Sequence, residues 1–320
     1  MLVFTAFAIN HIKDLFASIM LTGIYSLLSA GFFVLMDAVD VAFTEAAVGA
    51  GISTLLMLSC MPLVGQYEHS PRRHQKLLGL IVVSVTGALL IYGTLDMPRF
   101  GDAGDPVQLH VAPRYLQQSM DEIGVPNVVT SVLASYRGFD TFGETVVIFT
   151  AGLGVLILLG FRRKTRDPGE HVIAAMHQHK ILRVVSKLLI PTILLFALYV
   201  QFHGDFGPGG GFQAGVIFAS AIILYAMLFG LSTARRVINE RVIQLLAAVG
   251  VLLYGSVGVV SMLNGGNFLN YNLLAGNAIA GQHLGILLVE LGVGITVTSI
   301  MIIIFFTFSG RLDKASQEEQ

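Results

Sequence analysis

The chain has 320 residues, 54% of them apolar and only 12% charged, against about 25% charged in a soluble domain. Its mean hydropathy of +0.76 excludes a water-soluble globular fold. The net charge of -1, from 19 Lys and Arg against 20 Asp and Glu, gives no basic field for nucleic acid. A single cysteine, Cys60, excludes an intrachain disulfide and any Cys-built zinc or iron–sulfur site within this chain.

A helix needs about 20 mostly apolar residues to cross a bilayer. Charge-free stretches predict eight transmembrane helices, at 14–36, 41–64, 77–95, 140–161, 185–203, 211–233, 242–263 and 282–308. The fold class is therefore all-α and polytopic. Residues 1–10 are apolar but rise only about 15 Å as a helix, so they read as a surface half-helix or part of a span. They lack the basic start and small-residue cleavage site of a signal peptide. Residues 96–139 form one long external segment, with a short surface helix predicted at 112–123. Lys and Arg collect on the cytoplasmic side of membrane helices. Placing both termini and the loops at 65–76, 162–184 and 234–241 in the cytoplasm leaves only Arg99, Arg114 and Arg137 of the 19 opposite. Lys187 reads as a side chain that snorkels to the interface. His171, His177 and His179 lie in the basic 162–184 loop, where no Asp, Glu or Cys spacing builds a metal site, and no structural metal or cofactor is expected.

A carboxylate in the bilayer has to be buried in protein, hydrated or protonated, because insertion costs at least about 2.5 kcal/mol. Glu45 stands about one turn inside Asp37 and Asp40, an acidic ladder into the second span. Ala42, Ala46 and Ala50 recur every fourth residue, as do Ala47 and Gly51, so a neighbouring helix can approach closely and Glu45 should face protein. Glu144 follows Asp140 by one helical turn on the same face. Either the two act together as a proton-exchanging pair, or Asp140 pairs with Arg137. Glu290 follows His283 by two turns, so both can line one polar seam, or His283 can simply cap the helix end.

Between the fifth and sixth spans, His203-Gly-Asp-Phe-Gly-Pro208-Gly209-Gly210-Gly211-Phe212-Gln-Ala-Gly215 cannot continue a regular helix. Its loose G-x-G-x-x-A spacing lacks the preceding strand that a dinucleotide fingerprint requires. The amides that open the next helix can instead hold a carboxylate, Asp205 or one from a partner. No Walker motif and no Ser/His/Asp or Cys/His arrangement supports hydrolysis or ATP use.

Three cassettes resemble subunits of Mrp-type multisubunit Na+/H+ antiporters and the related membrane module of membrane-bound hydrogenases. Asp14-Leu-Phe-Ala-Ser18 with the 37–51 segment looks like the hydrogenase D-type subunit (1–66), although only residues 1–12 stand where that cassette carries a full first helix. Phe100-Gly-Asp, His110-Val-Ala-Pro-Arg-Tyr and Asn127-Val-Val-Thr through Glu144 look like the E-type subunit (67–165). After a basic linker (166–184), the 207–215 break and Leu287-Leu-Val-Glu-Leu-Gly-Val-Gly294 resemble the B-type subunit (185–309), and 310–320 form a cytoplasmic tail. The resemblance implies a prokaryotic plasma-membrane subunit of a monovalent cation/proton antiporter, inactive alone and not an enzyme. Its implied partners are the large A- and D-type antiporter-like subunits and the small C-, E-, F- and G-type subunits, with Na+ and H+ as the ions. It links Glu45 and Glu144 to transport, with transient Na+ near either, and less directly Asp40, Asp140, Glu290 and His283. Two alternatives stay open: the sodium/proton module of a redox complex, or a purely structural subunit.

Overall fold

The computed structural model describes residues 1–69, 73–99, 101–160 and 180–318. The basic linker through residue 179, with Arg162, Arg163, His171, His177 and His179, lies outside the described residues, as do Arg72 and Phe100. The described residues contain no β-strand, only an isolated bridge between Asp14 and Tyr67.

Among the described residues nine helices carry the architecture: α1 (Leu2–His11), α2 (Leu15–Leu35), α3 (Val39–Val64), α4 (Arg73–Thr94), α5 (Gly138–Leu159), α6 (Lys180–His203), α7 (Gly211–Phe229), α8 (Glu240–Leu263) and α9 (Ala278–Glu318). All but α1 contain a stretch long and apolar enough to cross a membrane, in agreement with the eight predicted spans. The ends follow local chemistry. Asp14 caps α2 by accepting from the Ala17 amide at 3.0 Å, and Asn239 caps α8 by accepting from Arg241. Gly65 and Gly230, at φ +95° and +98°, close α3 and α7 in a conformation that only glycine adopts freely. Gly230 also corrects a predicted boundary: the sixth span stops at Phe229 rather than 233, and a separate short helix, Leu231–Val237, follows. At the same end of α7, Lys187 Nζ and the Arg183 guanidinium lie over the Phe229 ring at 6.0 and 5.2 Å.

The α3 helix departs from regular geometry. Ala46–Ser53 forms a π-helical stretch between two α-helical ones. Each π turn takes an extra residue, so the fourfold spacing of Ala42, Ala46 and Ala50 does not keep one face as the α-helical reading expects. Ala42 and Ile52 are the buried apolar positions instead.

The core lies among α6–α9, where α9 packs against α7 and α8 and α6 packs against α7. Small residues make this possible. A Cβ on Gly292 would sit 2.8 Å from the Gly250 carbonyl of α8, and one on Gly215 of α7 would sit 2.8 Å from the Gly294 carbonyl. The Leu-Gly-Val-Gly end of the 287–294 motif thus lets α9 touch two neighbouring backbones at once. By contrast, α4 makes no substantial contact with any other described helix.

The segment between α4 and α5 carries the short helix expected at 112–123, as Val107–Gln117 continuing after Gln118 into Ser119–Glu122, and adds a second run, Val128–Tyr136, leading into α5. Tyr254 and Tyr271 hydroxyls donate to the Gly138 and Ala134 carbonyls at 2.6 and 2.9 Å, locking the second run onto the core.

Candidate functional site

A cavity of about 550 Å³ opens where five helices meet. Asp40 and Thr44 reach it from α3, Glu144 from α5, Gly209–Gln213 from the start of α7, Tyr254 from α8 and Glu290 from α9, while Thr130 comes from the Val128–Tyr136 run. The chain thus brings together three carboxylates lying far apart in sequence. Tyr254, fully buried, is within electrostatic reach of both Glu144 and Glu290.

The glycine-rich break is the joint of the site. The Gly210 amide donates back to the Val200 carbonyl at 3.0 Å, so the loop folds over the end of α6. Asn127 pins it from the segment between α4 and α5: its Nδ2 donates to the Gly204 and Gly207 carbonyls, both at 3.1 Å. Thr130 Oγ1 donates to the same Gly204 carbonyl at 2.6 Å. Asp40 faces the Gly209 amide and lies 3.5 Å from Asn127 Nδ2. Gln213 Nε2 donates to Thr44 Oγ1 at 2.7 Å, tying α7 to α3.

The carboxylate against the opening of α7 is Glu290, not the Asp205 considered from sequence. Glu290 Oε1 lies 3.2 Å from where a Cβ on Gly210 would stand and 3.3 Å from the same point on Gly204. Side chains at either glycine would press on the carboxylate. Asp205 turns instead toward His283, with Oδ2 3.9 Å from Nδ1, and stays close enough to Glu290 for their charges to interact. Burial pushes the Asp205 carboxyl above its ordinary value, and the nearby His283 pulls it partly back. His283 is exposed near the start of α9, close to Gly124 of the segment between α4 and α5.

Three other expected residues lie elsewhere. Glu45 does not line the cavity; half-buried, it faces α2, where its Oε1 and Ser26 Oγ both crowd the Gly49 position. Asp140 is exposed and bound by Arg137 through Nε at 2.7 Å and Nη2 at 2.5 Å, the ion-pair alternative of the sequence reading. Pro208 is exposed on the loop, whereas Gly209, Gly210, Gly211 and Phe212 line the cavity wall. Sequence reasoning missed Asn127, Thr130, Thr44, Gln213 and Tyr254. The Asn-Val-Val-Thr motif at 127–130 was the only visible signal for the first two.

Comparison with known proteins gives this geometry a lineage. Residues 1–65 match MbhD, the family of D-type MBH subunits, and 71–180 match MbhE, the family of E-type MBH subunits. Residues 181–303 match MnhB, the domain related to the MnhB subunit of Na+/H+ antiporter. A provisionally named antiporter subunit, mnhB2, of Staphylococcus aureus (strain Newman) is 34% identical over 135 residues, covering 41% of this chain and 94% of that protein. The chain belongs to the Mrp/Mnh antiporter-subunit family. A family member from Rhizobium meliloti (strain 1021), provisionally named as the A/B-type subunit of a K+/H+ antiporter, is 26% identical over 79% of this chain. This chain spans only 27% of that relative's length. A chain of the Mrp complex from Dietzia sp. DQ12-45-1b has the same fold, with a TM-score of 0.74 and 24% identity over 96% of this chain and 34% of that one. A chain of the membrane-bound sulfane sulfur reductase, an archaeal respiratory membrane complex, aligns with a TM-score of 0.54 and 27% identity, over 73% of this chain and 97% of that one. Shared ancestry thus covers all three cassettes whose residues meet at the cavity.

Proposed function

We propose that this chain is a non-catalytic membrane subunit of a multisubunit monovalent cation/proton antiporter, inactive alone, with Asp40, Glu144 and Glu290 forming its part of the ion path. One observation carries the reading: three carboxylates, one from each cassette, converge on a single cavity whose wall is a glycine-rich helix break. In a bilayer such groups mark ion or proton pathways. An unwound segment lining a cavity offers backbone amides and carbonyls to ions without exposing them to lipid. The chain works in the plasma membrane with its termini in the cytoplasm, as the Lys and Arg distribution supports. Its partners are large antiporter-like subunits and smaller ones, in keeping with the names of its relatives. Glu45, facing α2, serves a neighbouring branch of the path or a contact with another subunit there.

The deciding experiment replaces Glu290 and Glu144 by Gln in the whole complex and follows Na+-driven proton movement in inverted vesicles. Either change should lower antiport by about tenfold or more, a loss of about 1.4 kcal/mol or more in the rate-limiting barrier, with all subunits still co-purifying. Normal antiport in both assembled variants refutes the path. Disrupted assembly with normal specific activity in the surviving complex makes the carboxylates structural ties.

A second reading, the ion-moving module of a redox complex, draws on the likeness to the archaeal respiratory complex and to the MBH families. Mass spectrometry of proteins co-purified in mild detergent separates the two. Antiporter-like subunits alone favour the first reading, and metal-cluster subunits the second.

A further inference from the structure

A second cavity, of about 260 Å³, lies behind the first, among α6, α7, α8 and α9. The two are separated by the crossing of α7 and α9 at Gly211 and Gly294. A Cβ on Gly294 would stand 3.3 Å from the Gly211 carbonyl and 2.5 Å from Gln201 Oε1, so the wall between them is two backbones with the Gln201 side chain against them. The first cavity touches Gly211 and Glu290, the second Gly294 and Gly215.

Depth separates them as well. Glu290 stands about 18 Å from the start of α9, whereas Thr298, which lines the second cavity, stands about 30 Å along the same helix. Leu246, at the far side of the second cavity, is only about 9 Å from the start of α8, which begins at the opposite membrane face. The first cavity opens toward the external segment and the second extends toward the other face.

The lining of the second cavity is mostly apolar, but its floor is not. Gln201 of α6 is only 8% exposed, and its Nε2 has no hydrogen-bond partner among the described residues. A buried amide donor in hydrocarbon costs several kcal/mol if nothing accepts from it. Thr298 Oγ1 donates to the Gly215 carbonyl at 3.1 Å, which leaves its lone pairs to accept from the cavity. Ser299 adds a buried hydroxyl. An unsatisfied donor beside hydroxyl acceptors is the set that small polar molecules bridge, and the volume admits several waters at about 30 Å³ each.

We infer that the second cavity is a water-filled half-channel through which Glu290 exchanges protons with the membrane face opposite the external segment, Gln201 holding its first water. This rests on the ion-path reading of Glu290. A proton that joins the Glu290 carboxylate from the first cavity leaves it to water in the second, and the carboxylate returns to its starting charge. The crossing of Gly211 and Gly294, with the Gln201 side chain against it, is the narrow barrier between the halves.

The test introduces Thr298→Cys, and separately Ile295→Cys, into the whole complex carrying Cys60→Ala, and treats vesicles of each orientation with a charged, membrane-impermeant methanethiosulfonate. Labelling of this chain is read by mass spectrometry. Either cysteine should be labelled from the face where α6 and α8 begin, and adding Gln201→Leu should slow that labelling by about tenfold or more, the scale of losing one buried hydrogen bond. Labelling only by an apolar maleimide means lipid fills the cavity, and labelling of neither cysteine by any reagent means it is closed; each overturns the inference. If impermeant labelling occurs but Glu290→Gln transports normally, the ion-path reading fails and the wet cavity stands. If Glu290→Gln is inactive but the cavity is dry, only the half-channel fails.

Discussion

The two ends of the molecule solve the same problem of apolar helices in opposite ways. In α9, 61% of the most apolar window is buried within the chain, and in α7, 50%; in α4 the figure is 0% and in α2 and α3 only 6%. The buried helices carry glycines at their crossings, so backbones meet directly. Gly79, Gly87 and Gly93 in α4 face open space. Small residues in a membrane helix therefore have no single meaning. Where a neighbour is present they set the helix spacing, and where none is present they leave a smooth surface for lipid or another subunit. The B-like bundle supplies the rigid frame, the first two cassettes lean carboxylates onto it, and the cavity sits at their seam.

The sharpest way to break this contrast is a matched pair of glycine substitutions. Gly292→Val drives a side chain into the Gly250 carbonyl and should cost about 1–3 kcal/mol or more. Gly87→Val meets nothing and should stay within about 0.5 kcal/mol. Thermal unfolding of the purified complex measures both, and equal losses would erase the distinction between the two regions. The next effect lies at the seam. Asn127→Ala removes donors from the Gly204 and Gly207 carbonyls, which should cost about 1–3 kcal/mol. Hydrogen exchange over 204–210 should rise while the α7–α9 crossing stays protected. Unchanged exchange would mean that the bundle holds the break unaided.

Much of this was legible in advance because hydrophobic length is a local property. Each of the eight spans is announced by its own missing charges. What failed was register. The fourfold alanine spacing assumed 3.6 residues per turn, and the π stretch at Ala46–Ser53 takes a different count. The sixth span ran on to 233 because Leu231–Val237 is itself helical, and only the φ of +98° at Gly230 separates the two. The site was half legible: Asp40, Glu144 and Glu290 stand out as carboxylates in apolar segments, but nothing in the chain says that they meet. Asp140 and Glu144 look alike at one-turn spacing, yet Arg137 takes the first while the second lines the cavity. Asn127 and Thr130 are ordinary loop residues until the 204–207 carbonyls come within their reach.

Smaller effects come from titration outside the membrane spans, where the seam and the cap built by residues 107–136 have opposite signs. Asp205 is half-buried in the break, and burial raises its carboxyl above the ordinary 3.8. The folded chain therefore holds this proton more tightly than the unfolded one. That contribution is present in full below 3.8 and is lost as pH rises through the raised value. Asp205→Asn should flatten this part of the stability profile, and an unchanged slope would show that the group titrates normally.

The smallest effect belongs to the 107–136 cap. There the Tyr136 hydroxyl donates to Glu122 Oε2, and Arg114 bonds the same carboxylate at 3.2 Å. The tyrosine hydrogen bond, then the guanidinium, hold the Glu122 carboxyl below its ordinary 4.5. Burial and the Glu122 charge push the Tyr136 hydroxyl up to about 12, so it stays a donor throughout the physiological range. A depressed carboxyl stabilises the fold above its unfolded value, and that stabilisation is lost as pH falls through the folded one. Tyr136→Phe removes the largest cause, so the acid limb of unfolding should move to higher pH while the limb set by Asp205 stays in place. Hydrogen exchange at 112–136, compared between the variant and the parent across the acid range, separates the two limbs. An acid limb that does not move would mean that Arg114 alone holds the cap, although both partners of that ion pair are partly or largely exposed and such pairs contribute little.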